Sequence, residues 1–179
     1  DALLVYSQLN ALAIAPDGVA GGGSNAGTPQ VRLRLQPTDM LGNPITSVLV
    51  GTNFQLHAFV EDLRPVSATE ARGVYSAYAD VTFDGAIASV IAAPSVDTAY
   101  GVSVSGSGQT PGLLDDVGGT AGSVTAPGSA PTPLFSVTMK AEDFGILNFA
   151  GLPPALQPLR NSLVYGGVAA AAVEFVGAS

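Results

Sequence analysis

Adjacent carboxylates, Asp115-Asp116, and a single histidine, His57, are the first residues to weigh for chemistry in this sequence. The acidic pair sits in "GLLDDVGG", an apolar knot that reads as part of a Gly-rich loop. Ca²⁺ is a hard ion that takes several oxygen ligands, and neighbouring carboxylates with loop carbonyls can supply them. The spacing of an EF-hand loop is absent, and a solvated acidic turn is the plainer reading of the pair. As a glycosidase pair the two residues are poor. Neighbours on a strand point to opposite faces and cannot flank one bond. The same objection holds more mildly for Asp80 and Asp84, and Asp84-Gly85 reads as the start of a turn. Any catalytic triad or histidine metal site would depend on His57, which alternates with Gln55 and Phe59 on the second face of a strand. No nucleophile elbow, phosphate loop, dinucleotide fingerprint or HExxH is present. Five tyrosines, Tyr6, Tyr75, Tyr78, Tyr100 and Tyr165, could stack on sugars. Such surfaces often use Trp, which is absent, so strand packing is the plainer account.

The elements that must position these residues are short strands. Val31, Leu33 and Leu35 alternate with Arg32, Arg34 and Gln36 in "VRLRLQ", a half-buried strand. Phe54, Leu56, Ala58 and Val60 alternate in "NFQLHAFVE", and Tyr75, Ala77, Ala79, Val81 and Phe83 in "GVYSAYADVTFD". Further strands are expected at "IASVI", "YGVSVS", "LFSVTMK", "GILNFAG", "NSLVYGG" and "AAAVEFV". Gly42-Asn43-Pro44 and Asp84-Gly85 supply turns, and Pro153, Pro154 and Pro158 forbid a regular helix between the later strands. The expected fold is all-β, a single antiparallel β-sandwich or jelly roll of about nine strands. It occupies residues 29–179, and residues 1–28 form a pendant N-terminal strand on a Gly-rich tether.

Composition narrows the function. Hydrophobic residues make up 47% of the 179, charged residues 11%, and the net charge is −8. Such a chain can bury a core and is not disordered by composition. Its acidity disfavours nucleic acid and anionic lipid. Cysteine is absent, which removes disulfides and thiolate chemistry. No apolar run is long enough for a transmembrane helix. Low Lys and abundant small polar residues are similar to those of secreted and surface proteins, so the expected location is extracellular.

The stretch "VRLRLQPTDMLGNPITSVLVGTNFQLHAFVEDLR", followed by "GVYSAYADVTFDGAIASV", resembles a cohesin-like β-sandwich domain. The type it resembles occurs in large surface and secreted proteins of planctomycete-like bacteria. "LFSVTMKAEDFGILNF" and "LVYG" match the later strands, so the resemblance covers about Val31 to Gly166. It implies a non-catalytic domain that serves in adhesion or assembly and docks a partner through one sheet face, some members carrying calcium. These are strand-and-turn patterns, not chemical signatures.

The chain departs from that pattern at "DALLVYSQLNALAIAPDGVAGGGSNAG". Ala13-Ile14-Ala15 looks like a cleavage site, but Asp1 stands where a signal peptide has a basic region. A helix would place Val5, Leu9 and Leu12 on one side. The all-β body favours a strand, with Leu3, Val5, Leu9, Leu12 and Ile14 as plugs for a neighbour's sheet. The tether from Pro16 to Thr28 could span roughly 40 Å if extended. Head-to-tail contacts that do not close yield a fibre. The first expectation is therefore a non-enzymatic subunit whose partners are copies of itself, forming a filament or surface layer. The alternative is a monomeric cohesin-like adhesion module for a protein or carbohydrate. No cofactor is required by either reading, though Asp115 and Asp116 could hold calcium.

Overall fold

The computed structural model describes residues 28–65, 71–123, 125–154, 160–167 and 171–178. The segment carrying Leu3, Val5, Leu9, Leu12 and Ile14, with Tyr6, lies outside them, as does the expected pendant strand.

Among the described residues eleven strands form two sheets: β1 (Val31–Thr38), β2 (Asn53–Asp62), β3 (Val74–Thr82), β4 (Ala88–Val90), β5 (Ser95–Val96), β6 (Val102–Ser107), β7 (Leu113–Thr120), β8 (Thr132–Ala141), β9 (Ala150–Leu152), β10 (Leu163–Val164) and β11 (Val173–Val176). The first sheet has the order β11-β1-β2-β8-β4, with β5 also on β8; the second has β10-β3-β7-β6, with β9 also on β3. β1 and β2 behave as their patterns dictate, whereas in β3 Tyr75 is exposed and Ser76 and Tyr78 of the opposite face are buried. Val31, Leu33 and Leu35 of β1 and Phe54, Leu56, Ala58 and Val60 of β2 are buried, while the residues between them are not. Ala77, Ala79 and Val81 of β3 and Leu114 and Val117 of β7 meet them from the other sheet. Each fully buried Leu, Val or Phe side chain contributes about 1.5–3 kcal/mol.

The expected all-β sandwich is present, with two differences of detail. The sandwich is not wholly antiparallel, because β11 pairs with β1 in parallel. The final strand reaches β1 after leaving the opposite sheet, and so arrives running the same way. The strand count is also higher, because β5 and β7 join the expected nine. The "GLLDDVGG" knot is not loop but most of β7. Its two glycines have poor strand propensity, yet close packing requires them. A Cβ on Gly118 would collide with the Ala77 carbonyl oxygen, and one on Gly119 with that of Tyr100.

The strand directions define two ends. β1, β3 and β8 finish at the upper end, where β2, β4, β7 and β9 begin. Loops 39–52, 83–87, 108–112 and 142–149 therefore gather there. Val31, Asp62 and Val74 mark the lower end.

Candidate functional site

The acidic pair is held by an irregularity in the second sheet. Ala79 faces Val117 and Val81 faces Leu114, so Asp115 and Asp116 together oppose Asp80. Two residues against one is a β-bulge, and Asp116 takes a φ of 50° to make it. The strand-alternation argument fails here, because the bulge breaks alternation. One oxygen each from Asp80, Asp115 and Asp116 lie within 4.8 Å of one another. The Asp116 amide donates to Asp80 Oδ1 at 2.7 Å.

Arg160 lies across this group. It enters after β9 and before β10, and its guanidinium sits 3.2 Å from Asp116 Oδ2 and 5.9 Å over the Tyr78 ring. It also donates to Ser105 Oγ on β6. Tyr78 in turn donates to the Ser103 carbonyl at 2.7 Å. Tyr78 and Ser76, on the side of β3 away from the core, are consequently buried. Three carboxylates thus gather beside the Arg160 guanidinium. Their oxygens are close enough together to share one Ca²⁺, which binds oxygen at about 2.3–2.6 Å, though Arg160 already engages Asp116. Sequence reasoning had Asp115 and Asp116, set Asp80 aside, and missed Arg160.

His57 lies on the outer face of the first sheet, as alternation predicts. It is 3.2 Å from Gln55 Oε1 and stacked beside Phe59. Burial pushes its pKa below the usual histidine value. Arg34 also lies over the Phe59 ring, 5.1 Å from its centroid. Among the described residues nothing at His57 resembles a catalytic triad. Of the five tyrosines Tyr6 lies outside the described residues, and Tyr75 is exposed with its ring edge-on to Tyr165 at 5.3 Å. Tyr100 is in the core with its hydroxyl donating to the Val74 carbonyl, and Tyr165 donates to the Ser123 carbonyl.

A second feature had no place in the sequence reading. At the upper end, Met40, Leu41, Leu49, Val50, Phe144 and Ile146 are between 46% and 88% exposed. They are six of the eleven exposed large hydrophobic residues among those described, so the exposure is concentrated, not scattered. The two loops that carry them touch. Gly51 N donates to the Ala141 carbonyl at 2.7 Å, and Ala141 N to that of Thr52 at 3.0 Å. Ile45, Val48, Leu147 and Phe149 from the same loops line one apolar cleft above Phe54. The signal was present in "DMLGNP" and "DFGILN", where large apolar residues stand beside turn glycines in segments that are ordinarily polar.

No family model matches the sequence, and no curated protein does. Solved structures are similar. One is the crystal structure of the sixth cohesin from Acetivibrio cellulolyticus scaffoldin B in complex with a Cel5 dockerin mutant. It shares 10% identity, covers 83% of this chain and 96% of that chain, and has a TM-score of 0.55. Another is the CaDoc0917–CaCohA2 complex, at 14% identity, 82% and 95% coverage and a TM-score of 0.54. At these identities the likeness speaks for the architecture and not for any residue's role. The two-sheet sandwich of this chain is a cohesin-like fold.

Proposed function

We propose that this domain is a non-catalytic protein-docking module of the cell exterior, and that its partner is a further copy of the same chain. The observation that carries the docking role is the concentrated apolar surface at the upper end of a cohesin-like sandwich. Both similar structures are protein–protein complexes by their descriptions, which supports a protein partner. The copy-to-copy reading is supported by sequence. Leu3–Ile14 is uncharged and mostly apolar, and a Gly-rich stretch joins it to the body. Leu3, Val5, Leu9, Leu12 and Ile14 are the side chains that would plug a neighbour. Assembly then proceeds head to tail into a filament or layer.

Sedimentation velocity of the whole chain over a range of concentrations tests this, with electron microscopy of the concentrated sample. Growing, open-ended polymers are expected, and loss of residues 1–27 returns a monomer. A whole chain that stays monomeric throughout would instead favour the second reading, a monomeric module for a different protein, for which the dockerin complex is the supporting likeness.

Asp80, Asp115 and Asp116 are the residues that would hold calcium. Calorimetric titration of the whole chain with CaCl₂ should give one site that Asp115→Asn abolishes. A flat titration removes the ion from the account and leaves the docking role untouched.

A further inference from the structure

We infer that the fold carries tension between its two ends, through the resistance of β1 to sliding past β11; this holds whichever partner the domain docks. Among the described residues, β1 and β11 are the only two strands paired in parallel. That pair joins the first strand to the last. The chain enters β1 from Thr28 at the lower end. It leaves β11 toward Ala178 at the upper end, because β11 runs the same way as β1. Force on the two flanking segments therefore draws β1 down and β11 up, side by side.

Direction decides how such a ladder fails. When neighbouring strands are drawn past each other, every bond between them is strained together. When they are parted from one end, the bonds break in turn. Antiparallel first and last strands lying side by side would leave at the same end and fail in the second way. Bonds in a parallel pair are evenly spaced, so the load is shared along the register from Val31 opposite Val173 to Arg34 opposite Val176. Sliding by one residue would also set the buried faces out of step, with Val31 and Leu33 leaving the core.

Both strands are also held against being lifted out of the sheet. β1 pairs with β2 along its other edge, from Val31 opposite Asp62 to Thr38 opposite Gln55. Before β11, the Ala172 carbonyl accepts from the Gln30 and Val31 amides at 2.9 and 3.1 Å. Just past β11, Ala178 and Phe149 exchange backbone bonds of 2.6 and 3.1 Å. Phe175 packs so closely on Gly151 of β9 that a Cβ there would lie 2.7 Å from its ring. Arg32 reaches Glu61 at 3.3 Å and Glu174 at 3.0 Å, linking β2, β1 and β11. Half-exposed ion pairs of this kind are weak, so the backbone ladder is the part that resists.

The chain contains no cysteine, so introduced pairs set the pulling points in the whole chain. Thr28→Cys/Ala178→Cys loads β1 and β11 in sliding. Met40→Cys/Ala178→Cys grips both strands at the upper end and peels them, and Leu41→Cys/Ala178→Cys is a second grip of that kind. Thr28, Met40 and Leu41 are exposed and Ala178 is held through its backbone, so all three forms should unfold in urea alike. Forced unfolding reports the rate of the step being pulled, so single-molecule extension should give the sliding pair a peak force at least about twofold that of either peeling pair. The sliding pair should also yield in one step. Equal peak forces, or a sliding pair that yields at the lower force, overturn the inference. So does an extension step before the peak in the sliding pair, which puts the resistance elsewhere in the sandwich. The molecules are measured singly, so failure here leaves the copy-to-copy reading untouched, and failure of that reading leaves this one standing.

Discussion

The two ends of the sandwich solve the same problem in opposite ways. At the lower end the loops are tied down by a buried charge. The Asp62 carboxylate has no exposed surface and accepts from Arg64 Nη2 at 2.7 Å, Arg72 Nε at 3.2 Å and the Gly73 amide at 2.8 Å. Arg64 continues to the Tyr165 carbonyl at 3.2 Å, joining a second loop to the first. At the upper end the side-chain caps are local, and the loops are joined by backbone bonds such as that from Glu142 N to the Ile87 carbonyl. Asp39 accepts from the Leu41 and Asn43 amides, and Asp84 from that of Ala86. Among the described residues no fully buried carboxylate ties those loops together, and Leu41, Phe144 and Ile146 stand exposed while Leu147 and Phe149 turn into the core. A sealed end needs no partner, whereas an end that leaves Leu41 and Phe144 exposed is stabilised by acquiring one.

The largest expected effect comes from unsealing the lower end. Asp62→Ala leaves two mostly buried guanidiniums without their shared carboxylate and should cost about 3–5 kcal/mol, read by urea unfolding. A loss under about 1 kcal/mol would show that the network does not hold the end together.

Acid should act at the same place with a smaller effect. Burial pulls the Asp62 pKa up, but hydrogen bonds from Arg64 and Gly73 outweigh it and hold the value at about 2, below the ordinary 3.8. The folded state therefore binds this proton less readily than the unfolded chain does. The resulting stability, about 2 kcal/mol, is full above pH 3.8 and is lost as pH falls toward 2. Unfolding midpoints of the native chain and of Asp62→Ala should converge over that window; parallel curves would assign the acid sensitivity elsewhere.

The upper end should respond least in stability. Leu41→Ser/Phe144→Ser/Ile146→Ser removes side chains already in water, so unfolding should shift by no more than about 0.5 kcal/mol per site. A large loss of stability would mean that these residues belong to the fold, and the contrast between the ends would collapse.

Much of the framework was legible in the residues. Alternation in β1 and β2 marked their buried faces, and Asp84-Gly85 marked a turn, because strand periodicity and turn chemistry are local. β7 was not legible. Its Gly118 and Gly119 read as loop until Ala77 and Tyr100 were seen packed against them. The acidic group was half legible. Asp115-Asp116 drew notice as a pair, but Asp80 and Arg160 are far from it in sequence.

Periodicity, composition and the resemblance in "VRLRLQPTDMLGNP" determined an acidic, cysteine-free, all-β chain of cohesin-like type, because each of those signals lives in neighbouring residues. The tertiary structure decided three further things: the parallel β1–β11 pair, the bulge that turns Asp115 and Asp116 toward Asp80, and the gathering of two apolar loops at one end. All three depend on which distant strands lie side by side, and the order of residues along a chain does not by itself state that.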